Sequence, residues 1–342
     1  MNGRLELDIK IESEVEELLK ACPEYVREWY EVLLASGKTA MSCKGYVNMV
    51  KKFLKSIDDD TSGIEIDDIT QKSVLDYFKS IKTKKTKIDN GKYELKETSD
   101  SYKQTIWCCL NNFFSFMDKQ GYIDKNYMEI IDKPKNKDLV RINENRVLLT
   151  KEDFKKIIKT IEMGYGDNSR SLSQQGIMLN RNLCIFYIFM TTGIRRSALS
   201  SINISDINFD NNELKVKDKG NIWHSYQLTN LTIEYIKDWL FDREDIIKEE
   251  TDALFISRNG RRMSSQAIYD LVVKVCDEAL GYHISPHKLR SGFCSIMYNE
   301  TNDIEKVRRM VGHSNIATTQ RYIVTGGNEK EEASAIMTDI FG

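Results

Sequence analysis

The chain has 342 residues, of which 41% are hydrophobic and 30% charged, a composition typical of a globular protein with two domains. No apolar run approaches the ~20 residues that span a bilayer, and residues 1–10 lack the basic and apolar stretches of a secretion signal. Seven cysteines occur without a Cys-x-x-Cys pair, and four histidines form no zinc-ligand grouping. We therefore expect a protein of the reducing cytoplasm, with no membrane association, metal or cofactor.

The net charge of −2 is unevenly distributed along the chain. Residues 1–36 hold nine acids against four bases, so the remaining residues carry about +3. A second acidic run, Asp242–Asp252, holds six acids against two bases. Nucleic-acid binding requires a local basic face more than a basic total, so this balance permits DNA as a partner without demonstrating it.

Helical periodicity dominates residues 1–133, which we predict to be a domain of four or five helices. Pro23 is expected to break the first helix, and Gly37 to end it. The predicted helices are Ile11–Ala35, Thr39–Ile57, Ser73–Ile81 and Tyr102–Met117.

A lysine-rich stretch, Lys82–Lys96, holds six lysines and two acids around Asp89-Asn90-Gly91, a hairpin or loop signal. It is either a solvated loop or a loop that contacts DNA phosphates, which lysine neutralises without fixed geometry. The candidate phosphate contacts are Lys82, Lys84, Lys85 and Lys103.

Polar residues at 134–148 break the periodicity and predict a linker to a second domain, 149–342. Thr150 and Asp153 predict the capped start of a helix, Met163–Gly176 is polar enough to predict a loop, and Leu183–Met190 predicts a buried helix. A small three-stranded antiparallel sheet follows, and the rest of the chain is expected to be mostly helical. The predicted strands are Ile204–Asn208, Glu213–Lys217 and Trp223–Leu228. The fold class is therefore mainly α.

Ser285-Pro286 is a favourable helix start, and His287 and Arg290 would share one face of its first turn. Backbone N–H groups there favour an anion, so both side chains could reach one phosphate. A surface His and Arg on an amphipathic helix is the alternative.

Gly312 is expected to end the helix that runs from Asp303, which places His313 at a junction between two helices. Tyr322 follows nine positions later. Alone, one tyrosine among 16 would by default be a packing residue.

The full set resembles the signature of the tyrosine recombinases, the phage integrase family. The matching residues are Arg195 after Thr-Gly-Ile, His287-Lys-Leu-Arg290, Gly312-His313-Ser and Tyr322, with Lys219 at the position of the catalytic lysine. The resemblance is specific over residues 149–342 and looser over 12–133, which resembles the helical core-binding domain of that family.

This resemblance implies a site-specific DNA recombinase. Arg195 and Arg290 would bind the non-bridging phosphate oxygens, because a guanidinium fork suits them better than an ammonium. Tyr322 would attack the phosphorus and hold the 3′ end as a phosphotyrosine ester, and Lys219 would protonate the leaving 5′ oxygen. His287 would assist proton transfer, and His313 would hydrogen-bond a phosphate oxygen. Rejoining would require no ATP.

Three positions complicate the match. Ala198 stands where the family commonly has an acid, and Arg196 leaves open which arginine faces the site. The assignment of Lys219 competes with Lys215 and Lys217 nearby. We expect His224, in the third strand, to be structural or to contact the backbone.

Residues 329–341 carry a helical apolar stripe after Gly326-Gly327. It would either dock on its own domain or, as the resemblance favours, pack in a neighbouring protomer. The implied assembly is a homotetramer on two double-stranded DNA sites with inverted-repeat cores, associated with the nucleoid, with accessory DNA-bending proteins as a further class of partner. It would act through a Holliday junction in integration or excision of a mobile element, inversion or resolution.

Two other function classes remain open. A type IB topoisomerase would use a similar pocket to relax DNA as a monomer, which the apolar C-terminal helix disfavours. A non-catalytic DNA-binding or architectural protein is supported only by Ala198.

Overall fold

The computed structural model describes residues 3–87, 93–135, 149–166, 169–217 and 223–312. They form two compact units, one within Leu5–Arg146 and the other within Val147–Gly342. Both units are mainly helical, and the second contains a small three-stranded antiparallel sheet, which confirms the predicted fold class. No described helix is long and apolar enough to cross a bilayer.

The first unit contains helices and one two-stranded hairpin. Its elements are α1 (Gly3–Leu19), α2 (Glu24–Ala35), α3 (Ala40–Leu54), α4 (Gln71–Ser80), β1 (Thr83–Lys87), β2 (Tyr93–Glu97) and α5 (Asp100–Lys119). The strands pair antiparallel with Thr83 opposite Glu97, which favours the hairpin over the loop, the two alternatives that the sequence left open. Pro23 separates α1 from α2 as predicted, because proline lacks the N–H that a helix interior needs. However, α1 begins well before the predicted start at Ile11.

Aromatic side chains from three helices meet in the core of the first unit. The ring of Trp29 packs edge-on against Phe113, with centroids 5.2 Å apart, and Phe53 packs similarly against Phe114 at 5.7 Å. The indole N–H of Trp29 donates to the side-chain oxygen of Asn112 at 3.0 Å. These contacts bury the apolar faces of α2, α3 and α5 against one another.

The second unit places helices around the small sheet. Its helices are α6 (Lys151–Met163), α7 (Ser169–Ile177), α8 (Leu179–Thr192), α9 (Arg196–Ser201), α10 (Asn230–Glu244), α11 (Ser265–Leu280), α12 (Pro286–Thr301) and α13 (Ile304–Val311). Its strands are β3 (Ile207–Asn208), β4 (Glu213–Lys217) and β5 (Trp223–Gln227), in the order β3-β4-β5. The three predicted strands are confirmed, although the first is shorter because Ile204–Asp206 forms a 3₁₀ turn.

The predicted loop at Met163–Gly176 is wrong for most of its length, because α7 begins at Ser169. The polarity of this segment indicates exposure, and a short exposed helix has the same composition as a loop. The side chain of Gln175 also hydrogen-bonds both the backbone N–H and the carbonyl of Tyr165. This tertiary contact, which periodicity does not report, ties α7 to the end of α6.

Helix α8 is the centre of the second unit, and it packs against α6, α10 and α12. Phe186 and Phe189 are fully buried, as predicted for this apolar segment. Leu214 and Val216 turn one face of β4 into the same core. The C-terminus of α8 is thereby fixed from several sides.

Five of the seven cysteines are buried and all seven are free thiols, which agrees with their expected role as small core residues. Burial raises the pKa of Cys276 to about 12 and that of Cys294 to about 11. These two thiols therefore remain protonated at neutral pH.

Candidate active site

Three of the predicted catalytic residues lie on the wall of one cavity, which has a volume of about 380 Å³ and is lined by Arg195, His287 and Arg290. Arg195 is the residue before α9, whereas the other two belong to the first turns of α12. Ser285 precedes α12 and Pro286 is its first residue, as predicted, although the serine side chain makes no capping hydrogen bond. The structure thus joins two segments that are distant in the sequence. The remaining predicted catalytic residues lie outside the described residues: Lys219, His313 and Tyr322.

Arg290 is 2% exposed, and its guanidinium connects two helix ends. Nη1 donates to the carbonyl of Gly193 at 2.5 Å, and Nη2 donates to the carbonyl of Val311 at 2.7 Å. Gly193 ends α8 and Val311 is the last residue of α13. One buried side chain therefore fixes the chain both before Arg195 and before the Gly-His-Ser motif.

Gly193 allows α8 to end close against α12. Its φ of +61° lies in the left-handed region, where a side chain is strained. A Cβ at this position would also lie 2.6 Å from Cδ1 of Phe293. Glycine is therefore required by both the turn and the packing, and the turn brings Arg195 to the cavity.

Gly312 has a φ of +66° and ends α13, as predicted. The ring of His224 occupies the space that a Cβ of Gly312 would fill. His224, expected to be structural or to contact the backbone, thus packs beside Gly312. Because β4 ends at Lys217 and β5 begins at Trp223, this contact also anchors the hairpin whose connection includes Lys219.

The described wall of the cavity is strongly cationic. Arg195, Arg196 and Arg290 line it, and no Asp or Glu belongs to the described lining. The other lining residues, besides His287, are Ile194, Ser197, Tyr269, Ser285 and Pro286. Guanidinium groups are suited to phosphate, because each planar fork can donate two parallel hydrogen bonds to its oxygens.

Both consecutive arginines line the cavity, so the described lining does not distinguish between them. The guanidinium carbon of Arg196 lies 5.3 Å from the ring centroid of Tyr269. Arg196 could be suspected from the sequence because it follows Arg195. No sequence pattern indicated Tyr269, because its place at the cavity depends on how α11 packs beside α9.

Ala198 is 2% exposed and lies in the hydrophobic core. At this position, where the family pattern commonly has an acid, the chain has a buried methyl group. Position 198 of α9 therefore supplies no carboxylate to the cavity arginines.

No group of three or more potential His, Cys, Asp or Glu metal ligands occurs within the described ranges. The nearest thiol in sequence, that of Cys294 one turn beyond Arg290, is fully buried and protonated. The described cavity therefore offers cationic donors for a phosphate rather than a thiolate nucleophile.

The four candidate DNA-binding lysines lie in the first unit, around the hairpin. Lys82 is exposed just before β1, and Lys84 and Lys85 belong to that strand. Lys103 lies in α5 and contacts Glu97 at 3.2 Å and Asp100 at 3.5 Å. A DNA contact by Lys103 would have to compete with these carboxylates.

The sequence of the second unit matches a known family. The model described as the phage integrase family matches residues 148–326, more than half of the chain, and the chain belongs to this family. It is 29% identical over 185 residues to the tyrosine recombinase XerC of Shewanella sp. (strain ANA-3), covering 54% of this chain and 62% of that protein. It is 28% identical over 214 residues to XerC of Vibrio cholerae, covering 62% and 63%. The match thus spans less than two thirds of either relative.

The fold has solved counterparts. A crystal structure of the XerH site-specific recombinase bound to a palindromic difH substrate superposes with a TM-score of 0.63 at 19% identity, covering 89% of this chain and 82% of that one. A lambda integrase dimer bound to a core site gives a TM-score of 0.59 at 16% identity, covering 86% and 96%. These similarities establish a shared fold.

Gly193→Ala should destabilise the protein more than Gly281→Ala. Both glycines end helices with positive φ, but a Cβ at Gly281 would meet no atom within 4 Å. We expect a loss of about 1–2 kcal/mol for Gly281→Ala from backbone strain, and about 1–3 kcal/mol more for Gly193→Ala from the clash with Phe293. Urea unfolding of the full chain measures both, and equal losses would show that Phe293 accommodates the methyl group.

Arg290→Gln should lower the free energy of unfolding by about 2–4 kcal/mol, because two buried carbonyls lose a charged donor. Arg290→Lys should fall between the wild type and Arg290→Gln, since one ammonium cannot reproduce both arms of the fork. Arg195→Gln, at a partly exposed position, should cost about 1 kcal/mol or less. An Arg290→Gln protein as stable as Arg195→Gln would contradict the structural role of the buried fork.

Proposed function

We propose that this chain is a site-specific DNA recombinase that cleaves and rejoins DNA through a 3′-phosphotyrosine intermediate. The observation that supports this most strongly is the convergence of Arg195, His287 and Arg290 on one cationic cavity. Arg290 also holds the end of α13 at this cavity, so the motif that leads to Tyr322 begins beside it. The relatives in Shewanella and Vibrio are named tyrosine recombinases, which agrees with this assignment.

The reaction begins when the hydroxyl oxygen of Tyr322 attacks the scissile phosphorus. A bond from phosphorus to the tyrosine oxygen forms, and the bond to the 5′ oxygen breaks. His287 assists removal of the tyrosine proton, and Lys219 supplies a proton to the leaving 5′ oxygen. The attack of a 5′ hydroxyl on the phosphotyrosine reverses these steps and rejoins the strand.

Arg195 and Arg290 stabilise the charge on the non-bridging oxygens while the phosphorus is five-coordinate, and His313 adds a hydrogen bond. The guanidinium of Arg290 is preorganised by its two backbone acceptors. These hydrogen bonds hold the guanidinium at the cavity wall, where it would contact the phosphate.

The same proposal assigns a role to each domain of the chain. Residues 1–133 form the DNA core-binding domain, 134–148 the linker, and 149–342 the catalytic domain. In this proposal Lys82, Lys84 and Lys85 would contact DNA phosphates, and Lys103 would do so if DNA displaced its carboxylate partners.

The assembly proposed is a homotetramer on two inverted-repeat DNA sites, connected by exchange of the apolar segment 329–341 between protomers. A lambda integrase tetramer bound to a Holliday junction has been solved, with a TM-score of 0.59 to this chain at 15% identity. Integration or excision of a mobile element, inversion, and resolution all use this chemistry, and the site of action is the nucleoid.

Tyr322→Phe should abolish a covalent protein–DNA complex that the wild-type protein forms. The substrates are nicked duplexes carrying inverted repeats from the DNA flanking its own gene, resolved on a denaturing gel. Tyr298→Phe, which removes a hydroxyl from a half-buried ring on α12, is the matched control and should cleave as the wild type does. A covalent band that persists in Tyr322→Phe would exclude this nucleophile.

The same preparation distinguishes the other function classes. Relaxation of supercoiled plasmid without sequence preference, by a monomer, would favour a type IB topoisomerase. Sequence-specific binding without any covalent band, and unaffected by Tyr322→Phe, would favour a non-catalytic DNA-binding protein.

A further inference from the structure

Arg196 is the cationic residue of the cavity that the catalytic scheme does not use. It is the first residue of α9, directly after Arg195, and both side chains line the same cavity. Consecutive residues usually point in different directions. The backbone of Arg195 is extended, with φ −74° and ψ 144°, and the helix begins only after it, yet both residues line the cavity.

Tyr269 holds Arg196 in place. The guanidinium carbon lies 5.3 Å from the ring centroid, within the range of a cation–π contact. The hydroxyl of Tyr269 shares a hydrogen bond of 3.2 Å with Nε2 of His283, which lies between α11 and α12. A guanidinium stacked on an aromatic face keeps its N–H donors around its edge, so the contact restricts the orientation of Arg196 without using its donors.

The cavity also exceeds the needs of a single phosphate. Its volume of about 380 Å³ lies in the range of pockets that take ligands much larger than one phosphate group. Its described wall bears three arginines and no carboxylate. A DNA strand brings its phosphates in series, so a strand at this cavity would bring a neighbouring phosphate as well as the scissile one.

We propose that Arg196, oriented by Tyr269, binds a second phosphate of the cleaved strand, adjacent to the one held by Arg195 and Arg290. This inference rests on the proposed function and adds to it a residue that sets the register of the strand. Contact with a neighbouring phosphate positions the scissile one without touching the reacting atoms. Tyr269 is a positioning residue, because it acts through Arg196.

The competing explanation is structural: the stacked pair would only join α9 to α11. A merely structural pair would affect stability and all DNA contacts alike. A phosphate contact would instead be coupled to one particular phosphate of the duplex. The experiment is therefore a double-mutant cycle on DNA-binding free energy, in which one change is a protein substitution and the other a neutralised phosphate.

Binding is measured with Tyr322→Phe protein, which cannot form the proposed ester, on the inverted-repeat duplex bound most tightly. Methylphosphonate replaces one phosphate at a time near the centre of the site. Arg196→Gln should weaken binding about tenfold and reduce the slope of log affinity against log salt by about 1. At one position of the duplex, methylphosphonate should weaken binding by the parent protein. At that same position it should weaken binding by the Arg196→Gln protein little further.

Arg196→Lys should recover part of the affinity by keeping the charge. Tyr269→Leu should approach Arg196→Gln, and Tyr269→Phe should bind more tightly than Tyr269→Leu because it keeps the ring. Arg261→Gln removes one charge from an exposed residue outside the cavity lining and should not show coupling to that phosphate. Thermal unfolding of each variant shows that it is folded.

The proposal would be overturned if the effects of Arg196→Gln and of methylphosphonate on binding free energy were additive at every phosphate. It would also be overturned if Arg196→Gln bound DNA with the affinity and salt dependence of the parent protein. The parallel cleavage assay with Tyr322 intact keeps the two claims separate. If no covalent complex forms, the proposed function fails, while the coupling cycle still determines whether Arg196 binds a phosphate.

Discussion

The second unit depends on a guanidinium placed in its interior. Burying a charge carries a large desolvation cost, which Arg290 offsets with hydrogen bonds to the carbonyls of Gly193 and Val311. Both acceptors lie at the C-terminal ends of helices, where the unpaired carbonyls concentrate partial negative charge. The stability of this arrangement and the geometry of the cavity therefore have one cause: the fork that satisfies two helix ends also fixes the chain two residues before Arg195 and two residues before His313.

The two glycines follow from the same constraint. Helices α8 and α13 must end abruptly where Arg290 holds them, and both end in left-handed residues, Gly193 and Gly312. Phe293 and His224 then pack where side chains at these positions would lie. Glycine, arginine and the packed rings together hold the segments that carry Arg195, His287 and Arg290 at one wall.

Local signals in the sequence predicted much of this fold. Proline at position 23 and the Thr150–Asp153 capping box act through neighbouring backbone groups, and both are confirmed. The buried helix α8 followed from an uninterrupted apolar run. Helix α7 was missed because an exposed polar helix and a loop have similar compositions. Motif spacing predicted Arg195, Arg290 and His287 as site residues. Tyr269 lies in no motif, and its stacking on Arg196 depends on tertiary packing alone.

The most direct test of the account identifies the amino acid that becomes attached to DNA. The covalent complex is digested with trypsin and nuclease, and the nucleotide-bearing peptide is sequenced by mass spectrometry. Trypsin releases Tyr322 in the peptide 322–330, and Tyr269, the tyrosine of the described cavity wall, in the peptide 263–274. The account predicts a nucleotide joined through its 3′ phosphate to Tyr322. A nucleotide on residues 263–274, or one joined through a 5′ phosphate, would contradict it.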